Sequence, residues 1–402
     1  MSVTSNIRSR GDRPRHRAAP IGRTASRSAR AQGGGGRGDA CTLVTGATGL
    51  IGNVLLGELL ARGHRCMVLL RAPIRNRLAH LVGLLEGQGI DGRRLAAAGR
   101  LVALEGLLPD DLPRRVGVPV CRVVHAAGST RFEPDASGDP ARTNDEGTRR
   151  LLHWMDRVGI REFHGVSTAY VCGRSDLHAL EAVRSTPPEF RNAYERSKWR
   201  AEQHVLRWAD APGRDWTIYR PSIVVGDSRT GRAARFTGAY MAFRAFDKLS
   251  RSCRSDSDRR LPIRIEARHD ARVNLIPVDY LAGLMASIIE RPSCHGRVYN
   301  IVNPRSIPAS ALLAMVQRFF GLTGARLIEP GTIAARTRTP AERGFHTATR
   351  HIGPYLWMTP RFDRSNTADA ETRLARACPA WTEGSIHRLL DYAVRRNWGR
   401  TT

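Results

Sequence analysis

The feature that most constrains the fold is a glycine-rich turn placed between an apolar strand and a helical pattern. Residues 41–45 are apolar enough for a buried strand, and Gly46, Gly49 and Gly52 follow at regular spacing. In such a turn the first glycine permits a sharp reversal, the second lets the backbone approach a pyrophosphate, and the third lets the helix pack closely on the strand. The sequence therefore predicts a βα unit whose helix N-terminus faces the phosphates of a dinucleotide.

Strands and helical patterns alternate through the first half of the chain. Further apolar strands are predicted at residues 66–70, 101–104, 121–125, 162–167 and 216–219, with helices between them, notably at 143–158 and 192–209. This alternation is typical of an α/β fold with a doubly wound parallel sheet. We therefore predict a Rossmann-like architecture.

The chain divides into three parts by composition and pattern. Residues 1–40 are rich in Arg, Ser and Gly and hold few large apolar residues, which predicts a disordered basic extension. Residues 41–228 form the predicted NAD(P)-binding Rossmann core with the catalytic residues, and residues 229–402 form a smaller, mainly substrate-binding and C-terminal helical part, with some segments returning to the core. In that part we predict helices at 277–289, 309–320, 367–377 and 384–394, a strand at 297–301, a loop at 250–260, and no element for 322–362.

The composition narrows the partners and the compartment. The 402 residues carry a formal net charge of +27, which fits an anionic partner such as a phosphorylated cofactor, coenzyme A or an acidic carrier protein; a charge spread evenly over the surface explains it equally well. The seven cysteines are scattered without a C-x-x-C pair, which favours reduced thiols in a cytoplasmic protein over a disulfide framework or a zinc site. No apolar run approaches the roughly 18 residues of a membrane span, so no span is predicted.

Lysine is almost absent, and its position is informative. Only Lys198 and Lys248 occur among 64 Lys and Arg residues, and Lys198 stands four residues after Tyr194, a spacing that places both side chains on one face of a helix. An ammonium is a compact point charge that the planar guanidinium of Arg does not replace. A nearby cation stabilises a phenolate and lowers the Tyr pKa from its usual value of about 10. The pair therefore predicts a general acid/base at Tyr194.

The ends of the second and fourth predicted strands supply candidates for cofactor binding. An acidic residue after the second strand would bind the 2′-hydroxyl of NAD, but the chain has Arg71 there, which favours the 2′-phosphate of NADP. In so arginine-rich a chain, an ordinary surface role explains Arg71 as well. Ala126, Ala127 and Gly128 are small enough for a cofactor to lie close over the strand end, and we interpret His125 before them as a packing residue.

Two polar positions complete the set of candidates. Ser167 and Thr168 end the fifth predicted strand, where a hydroxyl would hydrogen-bond a substrate carbonyl oxygen. Asn144 lies at the start of the helix predicted at 143–158, and the local sequence explains it equally well as a helix cap.

In this order along the chain, these residues resemble the extended short-chain dehydrogenase/reductase superfamily. The resemblance rests on residues 45–52, 125–128, 167–171, 194–198 and 220–222, and extends over roughly residues 41–305. Within the superfamily, residues 125–132, 165–171, 220–228 and 274–280 are similar to the thioester reductase and fatty acyl reductase ("male sterility") branch.

The resemblance implies a role for each matching residue. Tyr194 would donate the proton, Lys198 would bind the nicotinamide ribose and tune Tyr194, Thr168 would orient the carbonyl with Ser167 as the alternative, and Asn144 would support the site. Cofactor contacts are implied for Gly46, Thr48, Gly49, Leu50, Ile51, Gly52, Arg71, Ala126, Ala127, Gly128, Lys198, Pro221, Ser222 and Ile223. One departure is Gly106-Leu107-Leu108, because relatives carry Gly-Asp-Leu there and use the acid near the adenine.

The resemblance implies an oxidoreductase that uses NADP(H) in preference to NAD(H) and reduces an acyl thioester, held on coenzyme A or an acyl carrier protein, to an aldehyde or alcohol. A sugar-nucleotide epimerase or dehydratase, or a secondary-alcohol dehydrogenase of the hydroxysteroid type, would share the same core. A non-catalytic dinucleotide-binding protein is the third hypothesis, and the retained Lys198 argues against it. No nucleic-acid partner is predicted, and the sequence does not decide the oligomeric state.

Overall fold

Parallel strands form the centre of the molecule. The computed structural model describes residues 40–174 and 178–399, so the predicted extension lies, apart from Ala40, outside the described residues. The strands are β1 Cys41–Thr45, β2 Cys66–Leu70, β3 Leu101–Glu105, β4 Val120–His125, β5 Glu162–Val166, β6 Asp215–Tyr219, β7 Ile223–Val225, β8 Arg264–Glu266, β9 Arg272–Val273, β10 Leu275–Pro277, β11 Arg297–Tyr299, β12 Ile307–Pro308 and β13 Arg326–Ile328.

Seven of these strands build one sheet in the order β3-β2-β1-β4-β5-β6-β11, and every neighbouring pair is parallel. The strand order reverses direction between β1 and β4, which opens a crevice at the carboxyl ends of these two strands. The predicted doubly wound, Rossmann-like sheet is confirmed. The remaining short strands pair as β7 with β10, β9 with β12 and β8 with β13.

Helices cover both faces of the sheet. They are α1 Leu50–Ala61, α2 Ile74–Glu86, α3 Gly92–Ala97, α4 Gly147–Val158, α5 Ala193–Ala209, α6 Tyr240–Ser252, α7 Val278–Ile289, α8 Ala309–Phe320, α9 Pro340–Thr349, α10 Ser365–Arg373 and α11 Glu383–Arg395. Alternate residues of each strand face opposite sides: Val44 and Val124 lie in the apolar cluster beneath α1 and α7, whereas Leu43 and Val123 lie in the cluster beneath α4 and α5. Both faces are buried, as a parallel sheet requires.

A separate apolar cluster joins helices of the C-terminal half. It brings together α6, α8, α9 and α11 through large side chains such as Phe243, Phe246, Val316, Phe345 and Leu389. Other C-terminal segments join the sheet instead, because α7 packs on α1 and β11 pairs with β6. The described residues cluster as one compact unit, and the predicted boundary near residue 228 stays a prediction.

The C-terminal half is also where the sequence predictions and the structure differ. The helices predicted at 277–289, 309–320, 367–377 and 384–394 correspond to α7, α8, α10 and α11. Helix α6 was not predicted, and its last turn occupies the start of the loop predicted at 250–260. Helix α9 lies in the stretch 322–362 for which no element was predicted; a capping box at Thr339 begins it.

Within residues 40–174 and 178–399, no helix is both long and apolar enough to cross a membrane. All seven cysteines lie in this part of the chain and have free thiols.

A buried ion pair fixes the helix α5 to the sheet. Arg220, directly after β6, donates from Nε and Nη2 to Glu202 of α5 at 2.8 and 2.6 Å, and both side chains are at least 95% buried. The other terminal nitrogen of Arg220 donates to the carbonyls of Leu180 and Ala182. Both oxygens of the carboxylate and several protons of the guanidinium are thus satisfied, the condition under which a buried pair is tolerated.

We expect Arg220→Met to lower the free energy of unfolding by about 3–5 kcal/mol, because the Glu202 carboxylate would stay buried without its cation. Urea denaturation measures the change. Arg318→Met is the matched control, since Arg318 pairs with Glu383 on the surface and its loss should cost under about 1 kcal/mol. Equal decreases in the free energy of unfolding of the two variants would show that the buried pair stabilises the protein no more than the surface pair does.

Candidate active site

A single large cleft lies over the carboxyl ends of β1, β2, β4 and β5, with a volume of about 1190 Å³. Most of the site residues predicted from sequence line it: Gly46, Thr48, Gly49, Leu50, Ile51, Arg71, Ala126, Ala127, Gly128, Thr168, Tyr194, Lys198, Pro221, Ser222 and Ile223. Gly52 and Asn144 lie directly behind this wall, Gly52 against Gly46 and Asn144 against Gly128. The structure thus brings all the predicted positions together.

The glycine loop forms one end of the cleft. Gly46 has a φ of +71°, and a Cβ there would overlap the main chain of Ala126 and Ala127 at the end of β4. A Cβ on Gly52 would overlap the main chain of Gly46, so this glycine lets α1 pack against the loop. At Gly49 a Cβ would meet only the carbonyl oxygen of Gly46, at 3.1 Å, which leaves the side toward the cleft clear. Because α1 begins at Leu50 without a side-chain cap, its first N–H groups are left to bind an anion that enters the cleft.

The cleft wall near the ends of β2 and β3 carries two exposed arginines and two leucines. Arg71 follows β2 as predicted. Arg77 of α2, which is not among the predicted site residues, lines the same wall. Leu107 and Leu108 also line this wall. This end of the cleft therefore offers both positive charge and apolar surface.

His125 ends β4 beneath the small residues of the wall. Its imidazole is buried and hydrogen-bonds through Nδ1 to Thr45 at 2.7 Å and through Nε2 to Thr148 at 3.2 Å. Burial, together with a smaller contribution from the charge of Lys198, lowers the pKa of His125 to about 3. The ring is neutral and fully engaged, so the interpretation of His125 as a packing residue is confirmed.

Tyr194 projects from the first turn of α5 toward Thr168. Burial raises the pKa of Tyr194 to about 12, and the adjacent Thr168 hydroxyl opposes this rise while the charge of Glu195 adds to it. The prediction that the pKa of Tyr194 is lowered from its usual value is therefore wrong. Desolvation of the phenolate dominates, because the phenol lies within the cleft wall and not at the surface. A phenol with a raised pKa remains a proton donor at neutral pH.

Lys198 lies one helical turn further along α5, and it is buried. Its ammonium donates to the carbonyl oxygen of Val166 at 3.0 Å, and a Cβ on Gly128 would stand 2.9 Å from its Nζ. Burial lowers the pKa of Lys198 to about 8, and the charge of Glu202 opposes that shift. The absence of a side chain at Gly128 leaves this cation facing the cleft beside Tyr194.

Asn144 holds the wall of the cleft to α5. It sits in a π-helical turn, Arg142–Glu146, and its side chain accepts from the N–H of Ser129 and donates to the carbonyl of Ser129, both at 2.8 Å. A second donation reaches the hydroxyl of Ser197 at 2.9 Å. The alternative role as a helix cap is wrong, because the hydrogen bonds of the buried amide join two distant segments, at Ser129 and at Ser197. Such π-helical turns are frequent at functional sites.

Ser167 and Thr168 both line the cleft and are both buried, but their hydroxyls differ. The Thr168 oxygen accepts from the N–H of Tyr170 at 3.3 Å and lies beside Tyr194. The Ser167 hydroxyl has no hydrogen-bond partner in the described residues. Geometry thus pairs Thr168 with Tyr194 and leaves Ser167 a hydroxyl available to a ligand.

Beyond Tyr194 the cleft continues between the C-terminal helices. Its lining there is largely apolar and includes Met241, Phe243 and Phe246 of α6, Leu312, Leu313 and Val316 of α8, and Ile265, Leu327, Phe345 and Leu356. Several of these side chains are almost fully buried although they line the cleft, so this half is a narrow recess shielded from solvent. The cleft therefore joins a polar dinucleotide half to an apolar half, and Tyr194, Lys198 and Thr168 lie at the junction.

One cluster outside the cleft has the chemistry of metal ligands. Glu162, His164 and His295 present donor atoms within 4.8 Å of one another at the amino-terminal edge of the sheet, away from the cleft. His164 already bonds Glu162 and Tyr219, each at 3.0 Å, and His295 bonds Asp215 at 2.7 Å and a main-chain carbonyl at 3.1 Å. Burial opposes protonation of His295, but Asp215 raises its pKa above the ordinary value. With all ring nitrogens engaged, we interpret the cluster as a charged hydrogen-bond network.

A family profile described as Male sterility protein, an NAD-binding domain family, matches residues 44–285, more than half of the chain. The chain belongs to this family. Its members have a dinucleotide site, and the glycine loop, the clear side of Gly49 and the free N-terminus of α1 fit such a cofactor in this protein. The chain is thus an NAD(P)-binding enzyme of the extended short-chain reductase type.

Among curated proteins, the chain is 26% identical over 285 residues to the aldehyde reductase lnbA of Aspergillus flavus, a match that covers 65% of this chain and 26% of that protein. The chain spans only 7% to 27% of the length of lnbA and of two synthetases that it also matches.

Two solved structures are similar in fold. The terminal R domain of the myxalamid PKS-NRPS biosynthetic pathway superimposes with a TM-score of 0.72 at 23% identity, covering 90% of this chain and 92% of that one. A thiolation-reductase di-domain from an archaeal non-ribosomal peptide synthetase gives a TM-score of 0.67 at 18% identity, covering 90% and 76%. At such identities the likeness establishes the shared fold and no more.

The lowered pKa of Lys198 predicts how cofactor affinity depends on pH. We expect the affinity for NADPH to fall as pH rises through about 8, because the ammonium loses its proton there and not near its ordinary 10.5. Fluorescence titrations from about pH 7 to about pH 9 measure this. Lys198→Met should bind weakly at every pH in that range. A wild-type affinity that stays constant across the range would contradict a role for the Lys198 charge in binding.

Proposed function

We propose that this protein is an NADPH-dependent reductase of acyl thioesters, with Tyr194 as proton donor, Lys198 as cofactor-binding cation and Thr168 as carbonyl-orienting hydroxyl. The observation that carries the proposal is their position at the junction of the two halves of the cleft. A carbonyl carbon held there would face the nicotinamide end of a dinucleotide on one side and an apolar recess on the other. Family membership and the fold shared with reductase domains support the same reaction.

Each side chain has a separate role in the proposed reaction. When bound, NADPH supplies a hydride to the thioester carbonyl carbon. Thr168 and Tyr194 place their hydroxyls at the carbonyl oxygen, where negative charge develops, and Tyr194 gives that oxygen its proton. The raised pKa of Tyr194 keeps it protonated for this step. As the carbon–sulfur bond of the resulting hemithioacetal breaks, the hydroxyl proton leaves, the thiolate takes up a proton, and aldehyde and thiol are released.

The apolar half of the cleft supports an acyl group and disfavours a sugar nucleotide. A sugar or nucleoside diphosphate would need polar partners for many hydroxyl and phosphate oxygens, whereas the recess between α6 and α8 offers mainly Phe, Leu, Met and Val side chains. The charge of the thiol carrier fits the arginines at the mouth, including Arg235 and Arg350. We propose coenzyme A or the phosphopantetheine arm of an acidic carrier protein as that carrier, which the similarity to a thiolation-reductase di-domain supports.

The reaction is tested by NADPH oxidation with a panel of acyl-CoA and acyl-pantetheine thioesters. We expect thioester-dependent oxidation that falls about 10²- to 10⁴-fold in Tyr194→Phe, because the proton donor is removed. Lys198→Arg should also lose activity, since a broad planar guanidinium does not reproduce the compact charge that the ammonium places beside the Val166 carbonyl.

Lys248→Arg is the matched control, because Lys248 is exposed on α6 and is the other lysine of the chain. It should keep full activity. Tight NADPH binding without turnover of any thioester would contradict the thioester reaction and favour another carbonyl or alcohol substrate. Absence of NADPH binding would contradict the proposed cofactor and with it the reductase function.

We further propose that the enzyme prefers NADPH to NADH through Arg71. A charged hydrogen bond to a phosphate contributes about 1.5–3 kcal/mol, so Arg71→Ala should weaken NADPH binding by about tenfold to a hundredfold and leave NADH binding nearly unchanged. Parallel titrations with both cofactors measure the effect. Arg75→Ala, an exposed arginine of α2 outside the cleft wall, should change neither affinity. An equal loss for both cofactors in Arg71→Ala would assign Arg71 to general phosphate attraction.

A further inference from the structure

Glu195, the residue after Tyr194, is a fully buried carboxylate with an unusual set of partners. Its Oε2 accepts from the main-chain N–H of Arg191 at 3.0 Å, and its Oε1 accepts from the Arg191 guanidinium at 3.2 Å. The third donor is the phenol of Tyr355, at 2.7 Å from Oε1, which stands 160 positions away in the chain. A buried carboxylate requires such partners, and one of them comes from the C-terminal half.

Tyr355 lies in a short helical segment, Gly353–Trp357, that follows α9 and forms part of the cleft wall. Its hydroxyl also accepts from the side-chain amide of Asn192 at 2.9 Å, while the Asn192 oxygen caps α5 by accepting from the N–H of Glu195 at 3.0 Å. One phenol hydroxyl thus binds both the cap of α5 and the carboxylate in its first turn.

The ring of Tyr355 is held as firmly as its hydroxyl. It packs edge to face on Tyr170 with 4.9 Å between centroids, lies 6.0 Å from Phe132, and has the Arg191 guanidinium 5.6 Å from its centre. Phe132 in turn packs edge-on against Tyr194 at 6.2 Å, and its carbonyl accepts from the N–H of Ala193. The turn that carries Tyr194 is therefore enclosed by two segments from outside α5.

We propose that Tyr355 is a positioning residue for Tyr194, acting through the buried carboxylate of Glu195. The hydroxyl bond fixes the first turn of α5 against the C-terminal segment, so that the Tyr194 hydroxyl stays beside Thr168. A proton donor displaced by about 1 Å can cost a hundredfold in rate, which makes the orientation of this turn matter. The bond also draws the negative charge of Glu195 toward Tyr355, and that charge otherwise opposes formation of a phenolate at Tyr194.

The kinetic test rests on the proposed reductase function, and Tyr355→Phe is the central variant because it removes the hydroxyl and keeps the ring. We expect kcat to fall by about tenfold to a hundredfold, while the KM and Kd for NADPH stay unchanged. Glu195→Gln keeps the shape of the side chain and should also lower kcat. The double variant should lose no more than the larger single loss, because the two residues act through one bond.

Tyr280→Phe is the matched control. The phenol of Tyr280 also donates to a glutamate, the partly buried Glu371, but this pair joins α7 to α10 outside the cleft wall. The Tyr280→Phe variant should lower the melting temperature about as much as Tyr355→Phe and leave kcat unchanged. Equal kcat values for wild type, Tyr355→Phe and Tyr280→Phe would overturn the proposal, as would kcat losses in both variants that follow their loss of stability.

Hydrogen exchange tests the same bond without a substrate. Amides in residues 190–198 should exchange faster in Tyr355→Phe than in wild type, and at the wild-type rate in Tyr280→Phe. If the wild-type protein failed to oxidise NADPH with any of the thioesters tested, the proposed function would be contradicted. Hydrogen exchange would still decide whether Tyr355 positions the first turn of α5. Unchanged exchange at residues 190–198 in Tyr355→Phe would overturn that role.

Discussion

The close approach of the glycine loop to the end of β4 is the contact on which the rest of the site depends. Gly46 lies so near Ala126 and Ala127 that a Cβ would overlap their main chain, and Gly52 lies equally close beneath Gly46. These approaches bring the N-terminus of α1 to the point where the sheet reverses its order. Any side chain at these positions would push α1 away from the strand ends and widen the crevice in which a dinucleotide fits.

Helix α5 then determines the chemistry, because it carries a row of buried charges along one face. Glu195, Lys198 and Glu202 are spaced three and four residues apart and are all buried. Glu195 is paired with Arg191 and also accepts from the Tyr355 hydroxyl, and Glu202 is paired with Arg220, so Lys198 is the charge that remains directed to the cleft. The charge of Glu202 opposes the loss of the Lys198 proton that burial favours.

The sequence predicts the Rossmann half well because its signals are local. Gly46, Gly49 and Gly52, the strand ends at Gly128 and Thr168, and the pair of Tyr194 and Lys198 each depend on spacing within a few residues. The pKa of Tyr194 could not be predicted that way, since desolvation reflects how Thr168, Phe132 and the C-terminal segment enclose the phenol. The role of Asn144 could not be predicted from the local sequence either, because its hydrogen-bond partners, Ser129 and Ser197, are distant in the chain.

The C-terminal half shows where local reasoning ends. Helix α6 has a local signal of its own, since Arg244, Asp247 and Lys248 recur at helical spacing, but its Phe243 and Phe246 meet α8 and α9 from more than 60 residues away. The recess between these helices exists only after they have packed together, so no single segment encodes it. The same holds for the bond from Tyr355 to Glu195. In this chain the motifs of the dinucleotide site thus lie within the first half, whereas the apolar recess and the position of the Tyr194 phenol depend on long-range packing against that half.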